Sequence, residues 1–519
     1  MMSTQAFARR EAKLLLGIGC GLRVISFCFS QNNGGDAFAR IAVTTHWLQH
    51  PGLSLDFGGP RWPPLHFWLM VLVAEIVPNV ILACRLLSLV AGLMSLWLFW
   101  KLVSRLYGDS VATFSLAVFT FYSLHIAYST TSSSEETFVA FVLGGLLGVF
   151  SFRASGKYGA LVAGGMSLTA AAAVRFEAWI VILALGLIFL LGQENRRFPG
   201  CEYWKALVTF GITSGVWPVF WAVHSWLISG NPFFGVADNR ASIPDQLAVN
   251  PAHRLFYELA LSPGVIVLTL TPVAVAGTLY GLWLSFRERK NLDFAFLVLF
   301  FAMFQFVTVA THGTLALSRY TLMLGALCAV LAGYGLVEAG ERLFLSGHHR
   351  VLAIVTAVLV ANLALITGLS EYPGPFEDKF RSISPLMQFP VHVEEVGKML
   401  LPQMQPADRV VIDNYNDESN ILGIVIGLPM LAKDRAFFAT DGIGIDPFPY
   451  LNSQQPRFAI LSKQGTLGSH LKMQKDCSPS WVIRGMDFRC IFENDVYRVY
   501  EIRYDSKTGE ASSAISKSF

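Results

Sequence analysis

Charge is scarce in this chain. Only 14% of its 519 residues are Asp, Glu, Lys or Arg and 53% are hydrophobic, whereas soluble domains carry roughly a quarter charged residues. With a mean hydropathy of +0.50, that composition excludes an ordinary soluble globular protein. The formal net charge of +3 is too small a field to hold a polyanion, which excludes a nucleic-acid partner. Cysteine is sparse too: the 7 residues sit at 20, 28, 84, 201, 328, 477 and 490, and none shows the close pairing of a metal site. No phosphate-cradling Gly-rich loop, dinucleotide turn, HExxH helix or nucleophile elbow occurs, so nothing points to nucleotide binding, zinc proteolysis or serine hydrolysis. Internal repeats and low-complexity linkers are also absent.

What the chain has in abundance is long apolar runs. About eleven read as membrane spans, near 14–30, 81–100, 111–127, 138–152, 159–174, 178–192, 206–228, 265–286, 293–311, 317–337 and 351–370. Most approach the roughly 17–25 residues that cross a bilayer. The N-terminus has a basic start and an apolar core, but no small-residue cleavage site follows, so it reads as a retained first helix. A further run, LHFWLMVLVAEIV at 65–77, is short for a span and contains Glu75. It is expected to be re-entrant or interfacial.

Basic residues decide the orientation, because cytoplasmic loops are enriched in Lys and Arg. With 65–77 not crossing, one side of the membrane holds Arg9, Arg10, Lys13, Lys101, Arg105, Arg153, Lys157, Arg196, Arg197, Lys205, Arg287, Arg289, Lys290, Arg342 and Arg350. The outer side then receives the first loop at 31–80, the stretch YSTTSSSEET at 128–137, the loop at 229–254 and the stretch THGTLALSR at 311–319. The expected organisation is a transmembrane domain over 1–370 and an outer soluble domain over 371–519. The latter alternates a helical pattern, VHVEEVGKMLLPQM, with strand-like runs RVVIDNY, RFAILSK and VYRVYEIRY, which predicts a small α/β unit. Cys477 and Cys490 share this unit and form a disulfide if it faces an oxidising compartment.

Ionisable groups at membrane depth are expensive and mark function. Asp36 follows two glycines, and Arg40 lies one helical turn on; an N-cap with an i,i+4 ion pair is the structural alternative. Arg61 stands before Trp62-Pro63-Pro64, with His66 just beyond, where interfacial anchoring is the plain alternative. Glu135 and Glu136 sit in the Ser/Thr-rich turn and read either as a solvated cap or as site carboxylates. Arg175 and Glu177 interrupt AAAAVRFEAWIV without any polar buffer, so each needs a partner or a wet cavity. Arg319 and Tyr320 open a span after His312; Arg23 and Arg85, within spans, read as structural. Carboxylates suit a general base toward a hydroxyl, and Arg suits phosphate through its two-pronged fork.

The order of these features resembles the GT-C glycosyltransferases. An Asp in the first outer loop is followed four residues on by Arg40, then by Pro63-Pro64-Leu65, a span opening RLLS at 85–88, SLHIAYSTTSSSEETF at 123–138 and SRYTLML at 318–324. Within that group the pattern is similar to family 39, which includes the protein O-mannosyltransferases and the bacterial aminoarabinose transferase. The likeness covers about residues 10–340. Two positions depart from it: Ala37 where many mannosyltransferase relatives have Glu after the Asp, and Glu where the second loop often has Asp.

The resemblance implies a mostly α, polytopic GT-C fold and an inverting transferase. Such an enzyme moves a sugar from a polyprenyl-phosphate donor to an acceptor hydroxyl on a protein, glycolipid or polysaccharide, at the periplasmic face of a bacterial inner membrane. Asp36, Glu135 and Glu136 are its expected catalytic acids. Arg61, Arg175 and Arg319 are expected on the donor phosphate, with Arg40, His66, Glu177, His312 and Tyr320 supporting. No metal or other cofactor is required by this chemistry. Two other classes are open from the residues: a transporter or flippase of a lipid-linked sugar, and a non-enzymatic membrane scaffold.

Overall fold

The computed structural model describes residues 4–31, 35–49, 51–52, 55, 62–191, 200–241, 251–311, 317–343, 348–371, 383–386, 391–405, 408–413, 448, 451–452, 455–463 and 481–504. They form two compact units, one made of Met1–Gln31 with Leu53–Met387 and the other of Asn32–Gly52 with Gln388–Phe519. The first unit runs past residue 370, and part of the first loop groups with the second.

Helices dominate the first unit because its apolar runs are punctuated by capping residues and Pro. Helix α1 covers Thr4–Phe29, and α2, in the second unit, covers Gly35–Gln49. Pro63-Pro64 lead into α3 (Leu65–Ile76). Helix α4 (Val80–Tyr107) is capped by Asn79, whose Oδ1 accepts from the Leu82 amide at 2.9 Å, and it ends at Gly108 with φ 90°. There follow α5 (Asp109–Thr120), α6 (Ser123–Tyr128), α7 (Glu135–Ser155), α8 (Tyr158–Ala172), α9 (Glu177–Leu191), α10 (Gly200–Ser229) and α11 (Phe234–Ala241). The set closes with α12 (Pro251–Leu270), α13 (Pro272–Glu288), α14 (Leu292–Ala310), a 3-10 turn at Ser318–Thr321, α15 (Leu322–Leu343) and α16 (His348–Glu371).

The chain is an integral membrane protein. Seven of the described helices are long and apolar enough to cross a bilayer, and α12 with α13 make an eighth, bent by 107° at Thr271. The expected spans at 111–127, 159–174 and 178–192 appear as shorter pieces. The first breaks at Phe121 and Tyr122 into α5 and α6, and α8 and α9 have 15 residues each. At a rise of 1.5 Å per residue such a helix reaches roughly 22 Å, short of a hydrocarbon core of about 30 Å. The lipid side is plainest on α10, where Trp204, Val208, Ile212, Val216, Val219 and Val223 are exposed at three- to four-residue spacing.

Small residues let the helix backbones meet. A Cβ built on Gly148 of α7 would lie 2.5 Å from Cα of Gly164 on α8, and one built on Gly145 would press on Leu168. Such close approach is how helices associate where lipid removes the usual hydrophobic drive. The basic ends gather at one end of this unit: Arg9 pairs with Asp109 at 2.7 Å, Arg153 with Asp293 at 2.6 Å and Arg342 with Glu288 at 3.7 Å. Helix α7 runs from Glu135 to this end, so its acidic start lies at the other.

In the second unit, helix α17 (Val391–Leu400) packs on a sheet of β1 (Val410–Ile412), β2 (Phe458–Ser462), β3 (Trp481–Ile483), β4 (Met486–Glu493) and β5 (Tyr497–Tyr504). The strand order is β1-β2-β5-β4-β3, with β1 and β2 parallel and the other pairs antiparallel. Val393, Val396 and Leu400 meet Val410, Phe458, Ile460 and Val499 on one face. On the other face Val411, Ala459, Leu461, Phe488 and Ile502 form a second core. The hairpin of β3 and β4 turns on Arg484 and Gly485, both at positive φ. Cys490 is disulfide-bonded, and Cys477 lies outside the described residues.

The α7–α8 contact gives a packing prediction. Gly148→Val should push α7 from α8 and destabilise the fold by about 1–3 kcal/mol. Thermal unfolding of purified protein in detergent measures this; an unchanged midpoint would mean the helices do not meet there.

Candidate active site

The stretch from Tyr128 to Thr137 is buried throughout, so the solvated-cap reading of this Ser/Thr-rich turn is overturned. It can be buried because its polar groups satisfy one another. Ser129 Oγ donates to the His125 carbonyl at 2.6 Å, Thr130 Oγ1 donates to the Ala127 carbonyl at 2.7 Å, and the Thr131 and Ser133 hydroxyls meet at 2.6 Å. Helix α4 takes two of the turn's carbonyls. Ser88 Oγ donates to Ser133 O at 3.2 Å, and Arg85 Nε donates to Thr130 O at 2.8 Å. Arg85 also donates to the carbonyls of Phe27 and Ser30 at 2.7 and 2.9 Å, so it ties α1, α4 and this turn together. Both carboxylates that begin α7 therefore stand on a rigid base.

They lead to two different networks. Glu135 Oε1 accepts from Arg175 Nη1 at 2.7 Å and lies 3.9 Å from Arg319 Nε. Arg175 has its other edge on Glu177, with Nη2 at 2.6 Å and Nε at 3.1 Å from the same oxygen, while Nη1 also reaches Ser134 Oγ at 3.2 Å. The Tyr320 ring carries both cations, with the guanidinium carbons of Arg175 and Arg319 at 5.5 and 5.4 Å from its centroid. Backbone contacts place the partners. The Leu65 amide at the start of α3 donates to Ala173 O at 3.0 Å, the Gln305 side chain donates to Tyr320 O, and the Tyr122 hydroxyl faces Thr321 O at 3.4 Å. Glu135, Glu177, Arg175, Arg319 and Tyr320, with apolar walls from Phe138, Phe301 and Met323, line a cavity of about 10 Å³. That is room for about one water molecule.

Glu136 faces the other way, into a fully buried chain. Its Oε2 lies 3.1 Å from Nε2 of His125, off the line of a good hydrogen bond, and neither side chain is exposed. Arg23 Nε donates to Nδ1 of His125 at 3.1 Å. Because a guanidinium has only donors, Nδ1 must be the bare nitrogen and Nε2 carries the proton toward Glu136. Arg23 spends its remaining donors on the carbonyls of Gly19, Phe119 and Thr120. His125 went unnoticed in the sequence; the signal was Arg23 inside a span, which had to have a partner.

The other expected residues distribute as follows. His66 is buried, its Nδ1 3.2 Å from Thr137 Oγ1, which joins α3 to α7. Arg40 is a buried residue of α2. Asp36 belongs to the same helix, but its side chain lies outside the described residues, as do Arg61 and His312. Arg175, expected on phosphate, pairs here with two carboxylates, Glu135 and Glu177. Among the described residues no group of three or more His, Cys, Asp or Glu could hold a metal ion.

Comparison with known proteins gives the fold a name. Residues 61–221 match the family described as dolichyl-phosphate-mannose-protein mannosyltransferase. No curated protein sequence matches the chain. Among solved structures, ArnT from Cupriavidus metallidurans bound to undecaprenyl phosphate superposes with TM-score 0.65 at 13% identity, covering 96% of this chain and 98% of that one. The same protein in its apo state gives TM-score 0.62 at 14% identity, with 94% and 97% covered. The apo oligosaccharyltransferase of Archaeoglobus fulgidus gives 0.51 at 12% identity, covering 89% of this chain and 70% of that one. The chain carries the GT-C glycosyltransferase fold.

The buried chain predicts a stability effect. His125→Ala removes the ring nitrogen that accepts from Arg23, and leaving a buried donor unsatisfied in this way costs about 1–3 kcal/mol. The expected result is a sharp fall in unfolding midpoint and yield, with His125→Asn losing less. Equal stability of His125→Ala and the parent would show that the contact carries no load.

Proposed function

We propose that this chain, with its GT-C fold, transfers a sugar from a polyprenyl-phosphate carrier to an acceptor hydroxyl on the extracytoplasmic face of the membrane. One observation carries the reading: Glu135, Arg175 and Arg319 converge in one cleft at the end of α7 opposite the basic helix ends. Positive residues mark the cytoplasmic side, which supports a periplasmic site in a bacterial inner membrane. The disulfide at Cys490 supports an oxidising compartment for the second unit. The match over 61–221 to the dolichyl-phosphate-mannose-protein mannosyltransferase family, and the undecaprenyl phosphate bound by the structurally similar ArnT, support the class of donor. The acceptor is a protein, glycolipid or polysaccharide hydroxyl.

The chemistry follows from the residue types. A carboxylate takes the proton of the acceptor hydroxyl as its oxygen attacks the anomeric carbon. The bond from that carbon to the phosphate oxygen breaks, and polyprenyl phosphate leaves with the electron pair. One displacement of this kind inverts the anomeric centre. Asp36 is assigned the base by the likeness of its segment to the first loop of GT-C enzymes. Guanidinium groups stabilise the phosphate as its charge grows, a role assigned to Arg319 and Arg175, with Arg61 by resemblance. Glu135 holds the two cleft cations in register, His66 and Tyr320 brace their supports, and Glu136 fixes the start of α7 through His125.

Two results test this reading with purified protein, synthetic polyprenyl-phosphate sugars and a membrane-fraction acceptor. Asp36→Asn should lower the turnover by at least about 10²-fold while elution and unfolding stay as in the parent; full activity would remove the base assignment. Arg319→Ala should raise the donor KM by about tenfold, as expected for loss of one charged phosphate contact. Unchanged donor dependence would count against phosphate binding in this cleft.

A further inference from the structure

Among the described residues, the charges lining the cleft balance before any donor enters. Two guanidinium groups, Arg175 and Arg319, face two carboxylates, Glu135 and Glu177, around one small cavity. Adding a phosphodiester anion to this neutral set, at membrane depth, would leave an uncompensated negative charge where charge separation is least affordable. Either the anion stays out or one carboxylate gives way.

The two carboxylates are not equally held. Glu135 is 3% exposed, begins α7 on the buried Ser/Thr turn, and meets both cations. Glu177 is 27% exposed and touches Arg175 alone among the cleft cations. Its grip is also incomplete. The Nε and Nη2 donors of Arg175 both converge on Oε1 of Glu177, at 3.1 and 2.6 Å, instead of each taking its own oxygen. That guanidinium edge suits a pair of anionic oxygens side by side, as the two non-ester oxygens of a phosphodiester are. Glu177 also stands in the first turn of α9, where a carboxylate swung off Arg175 stays stabilised by the helix dipole.

We propose that Glu177 is a placeholder for the donor phosphate: it occupies the Nε/Nη2 edge of Arg175 in the empty enzyme and is displaced when the lipid phosphate binds. The idea rests on the donor class proposed above. With Glu177 withdrawn, Arg175 and Arg319 against Glu135 leave one net positive charge among the described residues, which matches a singly charged phosphodiester. Held in place, Glu177 keeps Arg175 paired and the cleft ordered when no donor is present. Glu177 thus sets donor affinity by competition and is a positioning residue, not a catalytic one.

The test measures binding of undecaprenyl phosphate to the full chain in detergent micelles below about pH 6, where this phosphomonoester carries mainly one negative charge as the phosphodiester donor does, with polyprenol and inorganic phosphate as the arms that separate lipid from phosphate. Glu177→Gln keeps the side-chain shape but removes the competing charge. It should bind undecaprenyl phosphate about tenfold tighter than the parent, the effect of losing one competing ion pair. Its ligand-free unfolding midpoint should fall while its ligand-induced rise grows, a combination that a merely structural role would not produce. Arg175→Gln should lose binding of undecaprenyl phosphate. Polyprenol should show no difference between Glu177→Gln and the parent, and inorganic phosphate should show the same tightening more weakly. Parent binding with no tightening in Glu177→Gln overturns the placeholder and leaves the donor class standing. Absence of parent binding to undecaprenyl phosphate overturns both.

Discussion

The contact between Glu135 and Arg175, at 2.7 Å with the two side chains 3% and 12% exposed, is the constraint on which the site depends. A lone guanidinium or carboxylate at this depth would destabilise the fold by several kcal/mol. Paired, they join the start of α7 to the turn between α8 and α9, and Arg319 adds the 3-10 turn ahead of α15. Three segments far apart in sequence are thereby held in one cleft by charge, where lipid would otherwise leave helix positions to packing alone.

Around that contact the fold arranges two kinds of polar network with different work. The Ser/Thr turn and the Arg23–His125–Glu136 chain are sealed from solvent, and their donors go mostly to backbone carbonyls. They make a stiff floor. Above it the cleft of Glu135, Glu177, Arg175 and Arg319 is partly open, with the Glu177 side chain 27% exposed. Adjacent residues, Glu135 and Glu136, feed one network each because side chains one step apart on a helix point about 100° apart.

Much of the framework was legible from residues alone. Helix occupies each of the eleven apolar runs, and the basic loop residues gather at one end, as the Arg9, Arg153 and Arg342 pairs show. In the second unit, α17, β1, β2 and β5 fall where periodicity put them. The hairpin of β3 and β4 escaped because Arg484-Gly485 is not among the dipeptides that announce a tight turn. Span lengths also escaped: α8 and α9 are too short to cross a bilayer unaided, and a run of apolar letters does not show where a helix breaks.

Composition and charge order by themselves determined that this chain lies in a membrane, which end of its helices is basic, and which ionisable residues were too costly to be idle. Those are local properties, set by the price of moving each residue out of water. Only the tertiary structure decided which charges meet. It turned Glu135 toward Arg175 and Arg319 and Glu136 toward His125, buried a turn whose letters look water-loving, and put Glu177 on the edge of Arg175. Partner choice depends on rotation about helix axes and on contacts between residues as far apart in the chain as Glu135 and Arg319, and spacing along the chain carries neither.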